Sequence, residues 1–223
     1  MQQDDRNAGR AAGARRESRR WTSPAVLAVA AILVLVETVL DGNALGLWGT
    51  HADWRTVAIA FAGFWAGLLD NWQPNYPGQP VAMFLTYAFL HSGPVHLAVN
   101  LVTLLSLGGA VVERAGQGRF LAVYLGSALG GGLFFAFLLP SPQPMVGASG
   151  ALFGLFGALL AWDHAGRAGR PDRFGHLLRI VALLAALNAA LWWATQGLLA
   201  WQTHLGGFVF GWLIALALSP RSS

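Results

Sequence analysis

The sequence is poor in charge and lacks cysteine and lysine altogether. Without cysteine, disulfide bonds and thiolate metal sites are excluded, and the redox compartment stays undetermined. Charged residues make up only 11% of the chain, against roughly a quarter in an average soluble domain. Hydrophobic residues make up 55%, which is more apolar surface than one water-soluble core could bury. We therefore expect this chain to be surrounded by lipid.

Apolar runs divide the chain into candidate membrane spans. A helix needs about 20 apolar residues to cross a bilayer, or about 17 if it is short. Six runs approach or reach that length: residues 24–40, 95–112, 120–139, 149–162, 177–193 and 198–218. A seventh run, 57–69, has only 13 residues, and we assign it to a loop at the membrane surface. The sequence thus predicts an all-α, polytopic membrane protein with six transmembrane helices and a short central helix that begins at Ser149.

The ends of the chain are polar. Residues 1–22 are rich in arginine and have no apolar period, which predicts a disordered cytoplasmic tail. Residues 23–219 would form the membrane domain, and residues 220–223 a short C-terminal tail. The run 24–40 could belong to a signal peptide, but it is long for one and no A-x-A cleavage site follows, so we expect an uncleaved first helix.

The arginines predict how the helices are oriented. Short cytoplasmic loops carry the positive charge of membrane proteins. With six spans and a cytoplasmic N-terminus, nearly every arginine beyond the tail falls on the cytoplasmic side, namely Arg114, Arg119, Arg167, Arg170, Arg173, Arg179 and Arg221. Only Arg55 would lie outside. We expect an integral protein of a bacterial inner membrane with both termini in the cytoplasm, and the net charge of +4 to serve orientation, not nucleic-acid binding.

The segment Gly147-Ala148-Ser149-Gly150 marks a candidate site. It ends a proline-rich loop and opens an apolar helix, so Ser149 lies at a helix N-terminus. Non-helical backbone at membrane depth is tolerated only where it is buried in protein or lines a wet cavity. Ser149 could instead be an N-capping residue between glycines that serve packing.

A histidine in the last apolar run is the natural partner of this serine. His204 lies on one helical stripe with Gly207 and Gly211, and a similar stripe of Gly150, Gly154 and Gly157 follows Ser149. Small residues allow two helices to approach closely. That approach would bring the Ser149 hydroxyl to the imidazole, as an activated nucleophile requires. A histidine bonded to a backbone carbonyl inside the bundle is the alternative.

Polar side chains also open the second predicted span. Pro94 suits a first helical turn, and His96 and Asn100 then share a face at a spacing of four residues. Both side chains can donate hydrogen bonds to a developing oxyanion. The alternative is structural hydrogen bonding between helices.

These polar residues share one expected depth. Ser149 lies 14 residues before Asp163, His204 lies 15 before Ser219, and Asn100 lies 13 before Glu113. At about 1.5 Å per residue, each is about 20 to 23 Å above the cytoplasmic boundary. In a hydrocarbon core of about 30 Å, the three side chains fall in one layer below the outer surface.

The motifs together resemble the rhomboid family over essentially all six spans. The family pattern of two histidines and an asparagine is met by His91, His96 and Asn100, and its G-x-S-G element by residues 147–150. Its histidine with glycines three and seven residues later is met by His204, Gly207 and Gly211; Glu113, Arg114 and Gly116 are also similar. One departure concerns the first loop, where residues 79–83 replace a Trp-Arg pair, so the anchoring of that loop is left open.

The resemblance implies an intramembrane serine endopeptidase. Ser149 and His204 would form a catalytic dyad without an aspartate, and the Ser149 amide, His96 and Asn100 would bind the oxyanion. His91 would be structural, and Phe153 would stack on His204. The substrates would be transmembrane segments of other proteins, cleaved near the outer membrane face, with no cofactor and no metal.

Trp192 and Trp193 end the fifth apolar run. Aromatic rings anchor helices at the membrane interface, which is one reading of this pair. A substrate in lipid must however reach Ser149 sideways, so the pair could instead border a lateral gate between the second and fifth helices.

Two other classes of protein fit part of the pattern. A transporter also has polar groups beside broken helices, but it usually shows internal repeats and a site near the midplane. A catalytically inactive rhomboid-like binding protein would typically lack the serine or the histidine. The sequence leaves open the physiological substrate, the oligomeric state and whether one class of sorting tails is the dedicated substrate.

Overall fold

The computed structural model describes residues 23–49, 53–138 and 141–218, and within them the chain is helical. The eight α-helices are α1 (Pro24–Ala44), α2 (Trp54–Ala62), α3 (Gln79–Thr86), α4 (Pro94–Ala115), α5 (Gln117–Phe137), α6 (Ser149–Gly166), α7 (Arg173–Ala194) and α8 (Trp201–Ala217). Two 3₁₀ turns, Ala66–Leu69 and Tyr87–Phe89, lie on either side of α3. The predicted tails, 1–22 and 220–223, fall outside the described residues.

Six of these helices coincide with the six predicted apolar runs. Their ends differ from the predicted ends by at most four residues. Helices α1, α4, α6 and α7 continue past their apolar runs, because polar residues can extend the backbone hydrogen bonding, whereas α8 begins and ends inside its run. By length and composition, α1, α4, α5 and α7 can each cross a membrane. The other two are shorter, with 18 residues in α6 and 17 in α8. The predicted all-α membrane protein is confirmed at this level.

The first loop is more ordered than the sequence suggested. The run 57–69, which we assigned to a loop, contributes most of helix α2. Asp53 caps this helix, since its carboxylate accepts hydrogen bonds from the amides of Arg55 and Thr56. The Thr56 hydroxyl and amide, which both donate to that carboxylate, hold the pKa of Asp53 below its ordinary value. Helix α3 was also missed, although Pro80 in its first turn is typical of a helix start.

Helix α6 is the centre of the bundle. It packs most extensively on α8, then on α5, and it also contacts α4. The two glycine stripes make the contact with α8 possible. A Cβ atom on Gly207 would overlap the Gly150 carbonyl oxygen, and one on Gly211 would overlap that of Gly154. The helix backbones therefore touch directly, as the sequence predicted from these glycines.

Helix α7 lies at the edge of the bundle. None of its residues is buried, and it contacts α6 only sparsely. A cavity of about 510 Å³ separates it from α6 and α8. Apart from Asn188 and His204, the side chains around this cavity are aromatic or aliphatic, and they include Phe153, Leu184, Trp192 and Phe208.

We expect Gly211→Ala to destabilise the bundle. The new methyl group would meet the backbone of Gly154, which cannot move aside as a flexible side chain could. Overpacking of this kind costs about 1–3 kcal/mol, so the midpoint of thermal unfolding in detergent should fall.

Gly118→Ala is the matched control. Gly118 lies in the first turn of α5, and a Cβ atom there would meet nothing within 4 Å. Its unfolding midpoint should stay the same or rise slightly, because alanine favours a helix by up to about 1 kcal/mol. Equal midpoints for Gly211→Ala and Gly118→Ala would contradict the close backbone packing.

Candidate active site

Ser149 is the first residue of α6, and the backbone before it is tightly constrained. Gly147 has φ = +128°, a conformation that residues with a side chain rarely adopt. A Cβ atom on Gly147 would lie 2.8 Å from Cε1 of His96. The Gly147 amide donates to the Tyr87 carbonyl at 3.0 Å. Glycine is thus required here both for the turn and for the approach of the His96 ring.

The loop that carries Ser149 is fastened to the first loop. Met145 and Phe64 exchange two backbone hydrogen bonds of 2.9 Å each, in the antiparallel bridge. Phe64 is fully buried, and its ring packs edge-on against Phe84, Tyr87 and Phe135. The start of α6 is therefore held by backbone bonds that reach a buried aromatic cluster.

His204 lies beside Ser149. Its Nε2 atom is 2.9 Å from the Ser149 hydroxyl, and the residue is only 6% exposed. Phe153, one turn into α6, stacks on the imidazole with ring centroids 4.2 Å apart and planes 9° from parallel. The structure thus brings together three residues that the sequence analysis had singled out.

A fourth residue at this site was missed. Asn188 of α7 has its Oδ1 atom 2.6 Å from Nδ1 of His204. Its Nδ2 atom donates to the Leu184 carbonyl at 2.9 Å. The signal was present, since Asn188 is the one polar residue in the apolar run 177–193 apart from Arg179, and polar groups inside spans usually have a function.

His96 lies beside the serine loop, and Asn100 follows one turn later in α4, but both side chains bond elsewhere. The amide of Ser92 donates to Nδ1 of His96 at 3.4 Å, and the Ser92 hydroxyl is 3.0 Å from the same atom. Because Nδ1 accepts, the proton of the neutral ring is on Nε2, beside Gly147. Asn100 donates to the His96 carbonyl at 2.9 Å, and no hydrogen bond joins it to Ser149 among the described residues.

His91 and Arg55 hold the first loop to α1. His91 is fully buried against His96, with ring centroids 5.2 Å apart. Arg55 donates to the His91 carbonyl at 2.6 Å and to the Asp41 carboxylate at 2.6 Å. It also lies 3.0 Å from the Glu37 carboxylate, a contact between charges and not an aligned hydrogen bond.

Gln79 provides a second anchor. Its side chain is fully buried, donates to the Ala60 carbonyl at 2.6 Å and accepts from the Asn75 amide at 2.7 Å. The sequence left the anchoring of this loop open, because residues 79–83 replace the expected Trp-Arg pair. Arg55 and Gln79 now account for it, through bonds to His91 and Ala60, which are distant from them in sequence.

The two tryptophans at the end of α7 differ in their surroundings. Trp192 lines the cavity that also reaches His204. Trp193 is 79% exposed and does not line that cavity. Only Trp192 is therefore in a position to limit access to the Ser149–His204 pair from the side of α7.

These features define an integral membrane protein that is helical in its described residues, with a serine and a histidine in hydrogen-bond contact inside its helix bundle. A model of the rhomboid domain matches residues 78–221. The chain belongs to the rhomboid family.

Individual relatives include both proteases and inactive proteins. The chain is 35% identical over 134 residues to rhomboid protease GluP of Bacillus subtilis, which covers 60% of this chain and 25% of that protein. It is 31% identical over 161 residues to the mitochondrial RHOMBOID-like protein 6 of Arabidopsis thaliana, covering 70% of this chain and 50% of that one. It is also 31% identical over 165 residues to inactive rhomboid protein 1 of Rattus norvegicus, covering 70% and 18% respectively. The chain thus spans half or less of the length of these relatives.

Proposed function

We propose that this protein is an intramembrane serine endopeptidase. It hydrolyses a peptide bond in transmembrane segments of other proteins, near the outer face of the membrane. The observation that carries the proposal is the 2.9 Å contact between the Ser149 hydroxyl and Nε2 of His204 at the start of a buried helix. Nucleophile and base within hydrogen-bond reach are the signature of an activated serine.

The reaction proceeds through an acyl-enzyme. His204 takes the hydroxyl proton as Ser149 attacks the substrate carbonyl, and then gives that proton to the leaving amine. Water, activated by the same imidazole, releases the acyl group and restores the serine. Phe153, stacked on the ring, limits the rotation of the base.

The oxyanion is stabilised from the side of α4. Nε2–H of His96 is a donor, because Nδ1 accepts from Ser92. The Ser149 amide belongs to the first helical turn, where amides have no partner within the helix. Asn100 becomes a third donor when its side-chain amide releases the His96 carbonyl and donates to the oxyanion instead.

An inactive rhomboid-like binding protein is the second candidate, and the likeness to inactive rhomboid protein 1 of the rat favours it. Ser149 and His204 would then be in contact without turnover. Because both candidates predict the same fold, only an assay of cleavage separates them.

Cleavage of a membrane-embedded substrate should depend on both members of the dyad. The purified protein, reconstituted with a transmembrane substrate, should yield two fragments on a gel, and Ser149→Ala and His204→Ala should each abolish them. Removing a serine or histidine of such a pair costs several orders of magnitude in rate, so loss should be complete on the time scale of the assay. A folded Ser149→Ala variant that cleaves like the parent would rule out the dyad, and an inert parent would favour the binding protein.

We further propose that α1, α4, α5, α6, α7 and α8 each span the inner membrane of a bacterial cell, with both termini in the cytoplasm. Helices α6 and α8 are about 26 to 27 Å long, less than a hydrocarbon core of about 30 Å. Their N-termini, and with them Ser149 and His204, then lie below the outer surface. The arginines between α6 and α7 support the orientation.

Cysteine labelling tests this topology, because the natural chain has no cysteine. An impermeant maleimide should label Gly78→Cys in intact cells and Ala168→Cys only after the membrane is opened. Both positions are exposed, and Ala168 is preferred to Gly169, whose φ of +83° disfavours a side chain. Labelling of Ala168→Cys from outside would overturn the six-span orientation.

Substrate reaches the dyad laterally, between α4 and α7, past Trp192. Trp192→Ala should loosen α7 and speed cleavage of a transmembrane substrate, while hydrolysis of a small soluble ester at Ser149 changes little. Trp193→Ala is the control, because this exposed side chain can serve only as an interfacial anchor. The gate would be contradicted if Trp192→Ala changed the cleavage of both substrates equally. It would also be contradicted if Trp192→Ala and Trp193→Ala had the same effect on the transmembrane substrate.

A further inference from the structure

Asn188 ends a chain of hydrogen bonds that runs through the site. The Leu184 carbonyl, the Asn188 amide, the His204 imidazole and the Ser149 hydroxyl follow one another at 2.9, 2.6 and 2.9 Å. The chain joins three helices, since Asn188 belongs to α7, His204 to α8 and Ser149 to α6. The proposed mechanism uses only its last two members.

The chemistry of the first member fixes the direction of every bond. A backbone carbonyl only accepts hydrogen bonds, so the group that faces Leu184 is the NH₂ of Asn188. The carbonyl oxygen of the same amide therefore faces His204, and it too can only accept. Nδ1 of His204 must then carry the proton, which leaves the lone pair of Nε2 free to accept from Ser149.

Few other groups could perform this task. The remaining side chains around the cavity are apolar, apart from the Trp201 indole, which can only donate. Without Asn188, the proton of the neutral imidazole could move to Nε2, and the ring would then face the serine as a donor. A base in that tautomer cannot take the hydroxyl proton.

We propose that Asn188 is a positioning residue that holds His204 in the tautomer required of the base. The inference rests on the proposed protease function. Asn188 also makes the orientation of His204 depend on the position of α7. This helix is free to shift, because it has no buried residue and meets its neighbours sparsely. When α7 moves outward, the Asn188–His204 bond breaks, and His204 regains its orientation only when the helix returns.

The kinetic test uses a soluble probe, so that access through the membrane does not contribute. Asn188→Leu has nearly the same size but no acceptor, and labelling of Ser149 by a small fluorophosphonate should slow about tenfold or more, part of the roughly 10²–10⁴-fold that a positioned base contributes. Asn188→Asp keeps an acceptor oxygen and should label faster than Asn188→Leu. Thr103→Val is the control, because it too removes a side-chain bond to the carbonyl four residues earlier, but far from His204 in sequence and on another helix.

A spectroscopic test does not depend on activity, and it reads the tautomer in the parent protein itself. In the parent protein with ¹⁵N-labelled histidine, the signal lost in His204→Gln should show a protonated Nδ1 and an unprotonated Nε2. The Nε2-protonated tautomer in the parent would overturn the proposal, and so would an Asn188→Leu variant that labels at the parent rate. Failure of the parent to react with the probe would instead count against the protease function, and the tautomer of His204 would still decide the role of Asn188.

Discussion

The direct contact between the backbones of α6 and α8 is the constraint on which the site depends. A Cβ atom on Gly207 or Gly211 would overlap carbonyl oxygens of α6, so the distance between these helices is set by backbone atoms and not by adjustable side chains. Ser149 is the first residue of α6, and His204 is the fourth residue of α8. Because α6 and α8 cannot slide or separate without losing this contact, the 2.9 Å distance between hydroxyl and imidazole follows from the packing.

In the proposed mechanism, the two histidines near Ser149 are held in opposite tautomers. Ser92 donates to Nδ1 of His96, which leaves a proton on Nε2, whereas Asn188 accepts from Nδ1 of His204, which leaves a lone pair on Nε2. One ring is thereby prepared as a donor and the other as a base. The tautomers are set by the neutral side chains of Ser92 and Asn188 and not by carboxylates. Neutral groups cost far less to bury than charges do.

The sequence predicted the six long helices and the approach of Ser149 to His204. Both predictions depend on local sequence patterns. The length of an apolar run predicts a membrane span, and a glycine stripe predicts that another helix approaches closely, whichever helix that is. It did not predict Asn188, Arg55 or Gln79, since each bonds to atoms that come near only in the folded chain: Asn188 to His204, Arg55 to Asp41 and His91, Gln79 to Ala60. Helix α2 was missed because nine residues are too few for an apolar period to distinguish a helix from a loop.

The molecule divides into a rigid part and a loosely held part, and the proposed site lies at the boundary. The loop before Ser149 is bonded to Phe64 and Tyr87, and the first loop is bonded to α1 through Arg55, so neither can move alone. Helix α7 has no buried residue, and a cavity of about 510 Å³ lies behind it. Apart from the bond of Asn188 to α8, its side-chain attachments lie at its N-terminal end, where Arg173 donates to the His164 carbonyl of α6 and His176 contacts Asp163. A protein substrate of the proposed protease would need space beside Ser149, and displacement of α7 would provide it at the lowest cost in lost packing. Since Asn188 is on that same helix, the part of the fold that gives way to substrate in the proposed protease is also the part that would orient its base.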